Sequence, residues 1–369
     1  MPLKSKVSGL NNSSLDVFSH LSTKTTMTSQ TSPSDPIPKV DIVQKVWREI
    51  KRPFQQGLRA WWYRIFYFGY SLLLPKGLAK DACRLRASYQ AIFGRALSLE
   101  NPQALTEKMQ WLKLYDRNPS HTMKADKYGV REFVKQAIGE QHLVKLLGVY
   151  NRAEEIDFDA LPNQFVLKAT HGSQMNIICP DKNLLDRKEA VRRLNQWLKI
   201  NFFGRKKQWV YKDIPPRIVC EEFLEPNTEW GLLDYKIFCF HGKPEFIQVI
   251  LDRCSGKTSL NNYDTQWNRL PFGEKGYPPT PKDPPPPPCL DEMLRLASLL
   301  AKDLLFVRVD FYYHNGKILF GELTFYPDAG MTKFEPAEMD YELGKLLKLP
   351  FEQNDTHPKM SHGKHNPTG

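Results

Sequence analysis

The chain has 369 residues, with 52 Lys and Arg against 41 Asp and Glu and a formal net charge of +11. At roughly 150 residues per domain, this length corresponds to two packed domains or one large one. A hydrophobic fraction of 41% with 25% charged residues excludes wholly disordered, collagen-like and disulfide-rich classes.

The charge is unevenly placed. Residues 1–100 hold 15 Lys and Arg against 6 Asp and Glu, which leaves only +2 for the other 269 residues. A nucleic-acid enzyme would carry its basic face on the working domain, so no nucleic-acid partner is expected. The six cysteines, Cys83, Cys179, Cys220, Cys239, Cys254 and Cys289, contain no C-x-x-C pair, against a structural zinc site. Thiols placed in apolar runs fit a reducing, cytoplasmic setting.

Residues 1–40 are rich in Ser, Thr, Asn and Pro and are expected to be a disordered tail. Residues 41–76 form a basic, aromatic segment with Trp47, Arg48, Lys51, Arg52, Trp61, Trp62 and Arg64. Its apolar run is too short to span a bilayer. Two readings stand: a helix packed on the body, or peripheral contact of residues 45–76 with the inner face of a membrane. Residues 77–160 are expected to be helical, with Leu105, Met109 and Leu112 on one stripe and Val130, Phe133 and Val134 on another.

Strands follow in region 161–347: Gln164–Thr170, Arg217–Leu224, Asp234–Phe240, Glu245–Leu251 and Phe306–Phe311, with a helix over Asp186–Asn201. Turns at His241-Gly242-Lys243-Pro244 and His314-Asn315-Gly316 predict two hairpins. The five prolines Pro284 to Pro288 predict a stiff surface connector. Residues 348–369 are expected to be a second disordered tail.

The chemistry concentrates in Arg308-Val309-Asp310 and Glu322-Leu323-Thr324. A two-residue Asn-Gly turn would put Asp310 and Glu322 on opposite faces of the hairpin. A three-residue loop His314-Asn315-Gly316 pairs Arg308 with Glu322 and brings Arg308, Asp310, Glu322 and Thr324 to one face. Such a set can hold Mg²⁺ and set Arg308 against a phosphate, or it can be an ordinary cross-strand ion pair. Lys168 ends a strand before the small-residue turn His171-Gly172-Ser173, where phosphate could be covered. Glu221 and Glu222 lie on a strand that could read a base edge, and Lys236 offers a further phosphate contact.

The order of these elements resembles the ATP-grasp superfamily. Residues 77–347 look more closely like its teichuronopeptide and surface-polysaccharide biosynthesis family. The segments that carry the resemblance are Leu105-Thr106-Glu107-Lys108-Met109-Gln110-Trp111-Leu112-Lys113, Ala125-Asp126-Lys127-Tyr128, Leu161 to Lys168, His171-Gly172-Ser173, Asp234-Tyr235-Lys236 and Phe320 to Phe325. It implies an α+β fold in which two lobes with mainly antiparallel sheets grip a nucleotide.

The resemblance also implies ATP and Mg²⁺ as cofactors. Lys127 and Lys168 would meet the nucleotide phosphates, His171, Gly172 and Ser173 would form the phosphate loop, and Glu221, Glu222 and Asp234 would take the adenine and ribose side. Asp310, Glu322 and Thr324 would hold the metal, with Arg308 and Lys236 at the reacting centre and Pro327 to Met331 receiving substrate. Ser173-Gln174-Met175-Asn176 departs from the glycines expected in the phosphate loop, and Asp328 from the small residue expected after Pro327. The activity implied is a carboxylate–amine ligase acting on a small-molecule or polysaccharide substrate. The alternative is a glycosyltransferase or a non-catalytic component of polysaccharide assembly.

Overall fold

The stretch expected to be helical from Leu105 onward is a helix, and its polar side chains explain what it packs on. The structure is a computed structural model, and it describes residues 65–67, 69–74, 76–226, 230–251, 258–280 and 282–353. The helices are α1 (Leu78–Phe93), α2 (Leu105–Tyr115), α3 (Ser120–Ala125), α4 (Val130–Ile138), α5 (Arg187–Leu198), α6 (Phe203–Lys206), α7 (Leu290–Ala301), α8 (Met339–Leu346) and α9 (Pro350–Gln353). The strands are β1 (Leu146–Tyr150), β2 (Phe165–Ala169), β3 (Asn176–Cys179), β4 (Ile218–Glu222), β5 (Asp234–Phe240), β6 (Lys243–Leu251), β7 (Ser259–Tyr263), β8 (Gly273–Glu274), β9 (Phe306–His314), β10 (Lys317–Thr324) and β11 (Phe334–Glu335).

Helix α2 begins where Glu107 Oε2 accepts the backbone N–H groups of Gln103 and Ala104, at 3.0 and 3.2 Å, which satisfies donors that a helix start leaves open. Thr106 Oγ1 donates to Asp340 Oδ2 at 2.6 Å, and Lys108 Nζ reaches Leu347 O at 2.8 Å and Glu352 at 2.9 Å. The polar half of this motif is therefore structural: it ties α2 to segments more than 200 residues away. It also corrects the expected tail at 348–369, because Leu349 is fully buried and α9 is formed. Residues 354–369, the expected tail 1–40 and residues 41–64 lie outside the described residues.

Two antiparallel sheets dominate. One has the order β1-β4-β2-β3 and the other β10-β9-β5-β6-β7. Each buries one face under a helix, as alternating strands require. Leu194 and Ala190 of α5 pack with Phe165, Leu167, Cys179, Ile218 and Cys220. Met293, Leu296, Ala297 and Leu300 of α7 pack with Ile237, Ile247 and Val309. Helix α7 and strands β1, β3, β7, β8 and β11 are absent from the expected elements. The prolines behave as a connector with one buried side: Pro284 and Pro287 are buried and Pro285 and Pro286 exposed, the three-residue period of a polyproline helix.

The β9–β10 hairpin departs from expectation in an instructive way. Lys317 pairs with His314, so the turn is the two-residue Asn315-Gly316, with both residues at positive φ. That turn alone would separate Asp310 and Glu322. The register shifts between Phe320 and Glu322, however, so that Gly321 is an extra residue in β10, Glu322 faces Asp310 and Thr324 faces Arg308. A β-bulge, rather than a longer loop, brings the four side chains to one face.

Candidate active site

Asp310 lies on β9, between β10 and β5 of the five-stranded sheet, and is 2% exposed. Arg308 Nε donates to its Oδ1 at 2.6 Å, and Arg308 Nη2 and Lys236 Nζ donate to its Oδ2 at 2.7 and 2.6 Å. Lys236 Nζ also lies 2.7 Å from Asp234 Oδ2. Arg308 Nη2 continues to Glu322 Oε1 at 3.2 Å and to Thr324 Oγ1 at 3.1 Å, and Thr324 donates to Glu322 at 2.8 Å. Burial raises the Glu322 carboxyl, but Lys127, Arg308 and Lys236 outweigh that and hold it well below the usual carboxylate range.

The second sheet contributes Lys168 on β2 and Glu221 on β4, joined at 2.6 Å. They share a face because Val166 is directly opposite Glu221, which makes Lys168 its diagonal neighbour. Lys127, between α3 and α4, joins the two sets: its Nζ donates to Gly172 O at 2.6 Å and lies 3.6 Å from Glu322 Oε2. The candidate site is thus a cationic and acidic cleft between two sheets.

Not every expected residue joins it in the expected way. Asp234 sits with Lys236 and Asp310 instead of with Glu221. Glu222 is exposed and alternates to the other face of β4. The His171 imidazole is 2% exposed and bonds Trp197 O at 3.0 Å, so it supports the end of α5. Gly172 is a close approach, because a Cβ there would run into Met175 and the Phe202 ring. Ser173 is exposed, and Gln174 takes a positive φ of 60° in place of a glycine.

Sequence reading missed Arg131, whose Nη1 lies 3.2 Å from Glu221 Oε1, and Gln248, which continues the polar row of the sheet beside Lys236. An arginine on an amphipathic helix and a glutamine in a strand give no local signal; only the register exposes them.

The 327–331 turn lies beside α2. Asp328, Ala329 and Gly330 all have positive φ, of 42°, 57° and 65°, a strained run for two non-glycine residues. Gln110 Nε2 holds it by donating to Gly330 O at 2.7 Å, and Lys113 Nζ donates to Gln110 Oε1 at 2.7 Å. Burial, with Lys206 nearby, pushes the fully buried Lys113 amine down to about 7. Between that value and its unfolded value of about 10.4, the unfolded chain holds the proton and the folded chain has lost it, so stability rises with pH. Melting curves should show this rise from pH 7 to 10 in the wild type and a flatter profile in Lys113→Met; identical profiles would refute it.

Among the described residues no group of three or more His, Cys, Asp or Glu is placed to hold a metal. Asp310 and Glu322 are two hard oxygen donors directly opposite each other, and the Glu322 side chain is 33% exposed with Oε2 toward the cleft lysine. Two carboxylates with phosphates and waters completing the shell suit Mg²⁺. The residues do not form a cage of their own: Glu322 presents an oxygen to the cleft, whereas Asp310, bonded through both oxygens to Arg308 and Lys236, would join it on a metal shared with a phosphate ligand by yielding part of that bonding. Thr324, bonded to both Glu322 and Arg308, orients the pair.

The profile of the TupA-like ATP-grasp family matches residues 107–348, a span that takes in both sheets and the whole cleft. The chain belongs to the TupA-like ATP-grasp family. Its α+β, antiparallel architecture is the one that the resemblance implied. No curated protein matches the chain.

Among solved structures, D-alanine–D-alanine ligase from Helicobacter pylori is similar at 14% identity over 68% of this chain and 70% of that chain, with TM-score 0.37. The same enzyme from Bacillus anthracis gives 17%, 63% and 70%, with TM-score 0.38. The ATP-grasp ligase PsnB with its minimal precursor gives 12%, 60% and 60%, with TM-score 0.33. The assignment of this TupA-like ATP-grasp protein rests on the family profile. Among its described residues, no helix is long and apolar enough to cross a membrane.

Proposed function

We propose that the protein is an ATP- and Mg²⁺-dependent ligase that converts a carboxylate to an acyl phosphate and joins it to an amine, in the assembly of a cell-surface polysaccharide or glycopeptide. The observation that carries this reading is the convergence of Lys127, Lys168, Lys236 and Arg308 with the facing pair Asp310 and Glu322 in one cleft. The setting in surface-polysaccharide assembly rests on the family resemblance.

Lys127 and Lys168 bind phosphate as point charges, each held by an acceptor that fixes its stem, Gly172 O and Glu221. Asp310 and Glu322 would hold Mg²⁺, which supplies neutralisation of phosphate charge and in-line orientation. Arg308 is immobilised by Asp310 and Thr324, so its charge is already aimed when an acyl phosphate develops negative charge beside it. Lys236 balances Asp234 and Asp310 and keeps that centre from excess negative charge. The turn at 327–331 would receive the carboxylate substrate, as the family resemblance implies.

The test is calorimetric titration of the full chain with ATP in the presence of Mg²⁺. Saturable binding is expected, weakened at least roughly ten-fold in Lys168→Ala, the loss of one charge-assisted phosphate contact. A wild type that takes up no ATP would end this reading.

A further inference from the structure

A row of polar side chains crosses the whole five-stranded sheet. Glu322, Asp310, Lys236, Gln248 and Asn262 are direct cross-strand partners in sequence from β10 to β7, so they share one face. Asp310, Lys236, Gln248 and Asn262 are 5% exposed or less. Burying so many polar groups is costly unless each is satisfied. The phosphate-side half has the cleft as its reason, whereas Gln248 and Asn262 lie two strands further on.

Those two residues lead to an open pocket of about 580 Å³ between β7, the chain from Arg269 to Pro279 and Glu335. Gln248 Nε2 donates to Glu274 Oε1 at 2.8 Å, and Asn262 Nδ2 to Phe272 O at 3.0 Å. Glu274, Glu335, Tyr277 and Asn262 line the space. Arg269 lines it as well, but its guanidinium is taken up by Asn261 Oδ1 at 3.1 Å, Thr280 O at 2.9 Å and Asp283 at 3.3 Å. The Asn262 amide is likewise taken up, by Phe272 O and Gln248, so what the wall offers is two carboxylates and the phenol of Tyr277. The volume is in the range of small-ligand sites.

We propose that this pocket receives the amine partner of the ligation, a hydroxylated primary amine of amino-sugar size, with Glu274 facing its ammonium and Tyr277 and Glu335 its hydroxylated body. The inference rests on the ligase reading above and extends it along the same face of the sheet, from Asp310 through Lys236 to Gln248 and Glu274. Gln248, which bonds Glu274, is the direct cross-strand partner of Lys236, so Glu274 lies on the same side of the sheet as the reacting centre, and burial raises its carboxyl from the ordinary value. The chemistry balances as follows. The ammonium gives one proton to the Glu274 carboxylate. The freed nitrogen lone pair forms a C–N bond to the acyl carbon, and the C–O bond to phosphate breaks. Inorganic phosphate leaves with that electron pair, and the second amine proton passes to solvent.

The test uses the full chain with D-glucosamine as probe, N-acetylglucosamine as the control without an ammonium, and ATP with Mg²⁺ in a parallel titration. Saturable glucosamine binding is expected. It should be at least ten-fold weaker for the N-acetyl compound and for Glu274→Gln, and lost in Gly273→Leu, which fills space that is open around Gly273. ATP binding should be unchanged in both variants. If the wild type binds ATP but not glucosamine, or if Glu274→Gln binds glucosamine as the wild type does, the cavity assignment is wrong and the ligase reading stands. Absence of ATP binding in the wild type would remove the ligase reading itself, whatever glucosamine does.

Discussion

Replacing Glu322 with glutamine should lower ATP-dependent turnover by about 100-fold or more while leaving the fold in place. The change removes one of two facing anionic donors, and loss of a charge positioned at a phosphoryl-transfer centre typically costs several kcal/mol, about 3 or more, of transition-state stabilisation. The side chain is one-third exposed, so water can solvate the amide and stability should fall by only about 1 kcal/mol. Asp310→Asn should abolish turnover as well, but at the expense of the fold. That carboxylate is 2% exposed and accepts from both Arg308 and Lys236, and removing one partner of a buried ion pair costs roughly 3 kcal/mol or more. Turnover assays beside denaturant melts separate the two residues. Wild-type turnover in Glu322→Gln would remove it from the metal set, and an unaltered melt in Asp310→Asn would contradict its role as the keystone of the cluster.

Lys236→Met is expected to be the most destabilising single change in the cleft, by roughly 3–5 kcal/mol. Its ammonium lies 2.7 Å from Asp234 and 2.6 Å from Asp310, and all three side chains are nearly inaccessible. The variant leaves Asp310 beside Asp234 with one cation fewer, which drives the Asp310 carboxyl, already raised by burial, further above the unfolded value of about 3.9. The folded variant then binds more protons than its unfolded chain, so its stability rises as pH falls from 7 to 5. Glu322 in the wild type runs the other way: its folded value is depressed, so its contribution is present above its unfolded value, about 4.3, and is lost as pH falls below it. Adding Asp234→Asn to Lys236→Met should recover about 1–3 kcal/mol, the usual coupling between contacting groups. A double variant no more stable than Lys236→Met, with no acid recovery, would show that the three groups do not share charge.

Much of the site was legible one residue at a time. Lys127, Lys168, Lys236, Arg308, Asp310 and Glu322 are each polar residues in or beside apolar patterns, and such residues call for a partner or a ligand. Their grouping was less legible. The expected three-residue loop at His314 to Gly316 gave the right face for the wrong reason, because a bulge at Gly321 has no signature that distinguishes it from a glycine within a strand. The Leu105 motif read as an amphipathic helix, yet its polar residues bind Asp340, Leu347, Glu352 and Gly330, contacts that no periodicity reveals.

The sequence by itself determined the class of the protein: apolar strands, a helix over Asp186–Asn201, two glycine turns and an ordered set of lysines and carboxylates, all set by local periodicity and steric preference. Tertiary structure decided which charges meet. Asp234 joins Lys236 and Asp310 because β5 lies beside β9 in the sheet. Glu221 meets Lys168 and Arg131 because β4 inserts between β1 and β2. Gln248 faces Glu274 because the chain after β7 folds back along it. Pairings between distant strands follow from which apolar faces can be buried together, and that is a property of the packed chain as a whole.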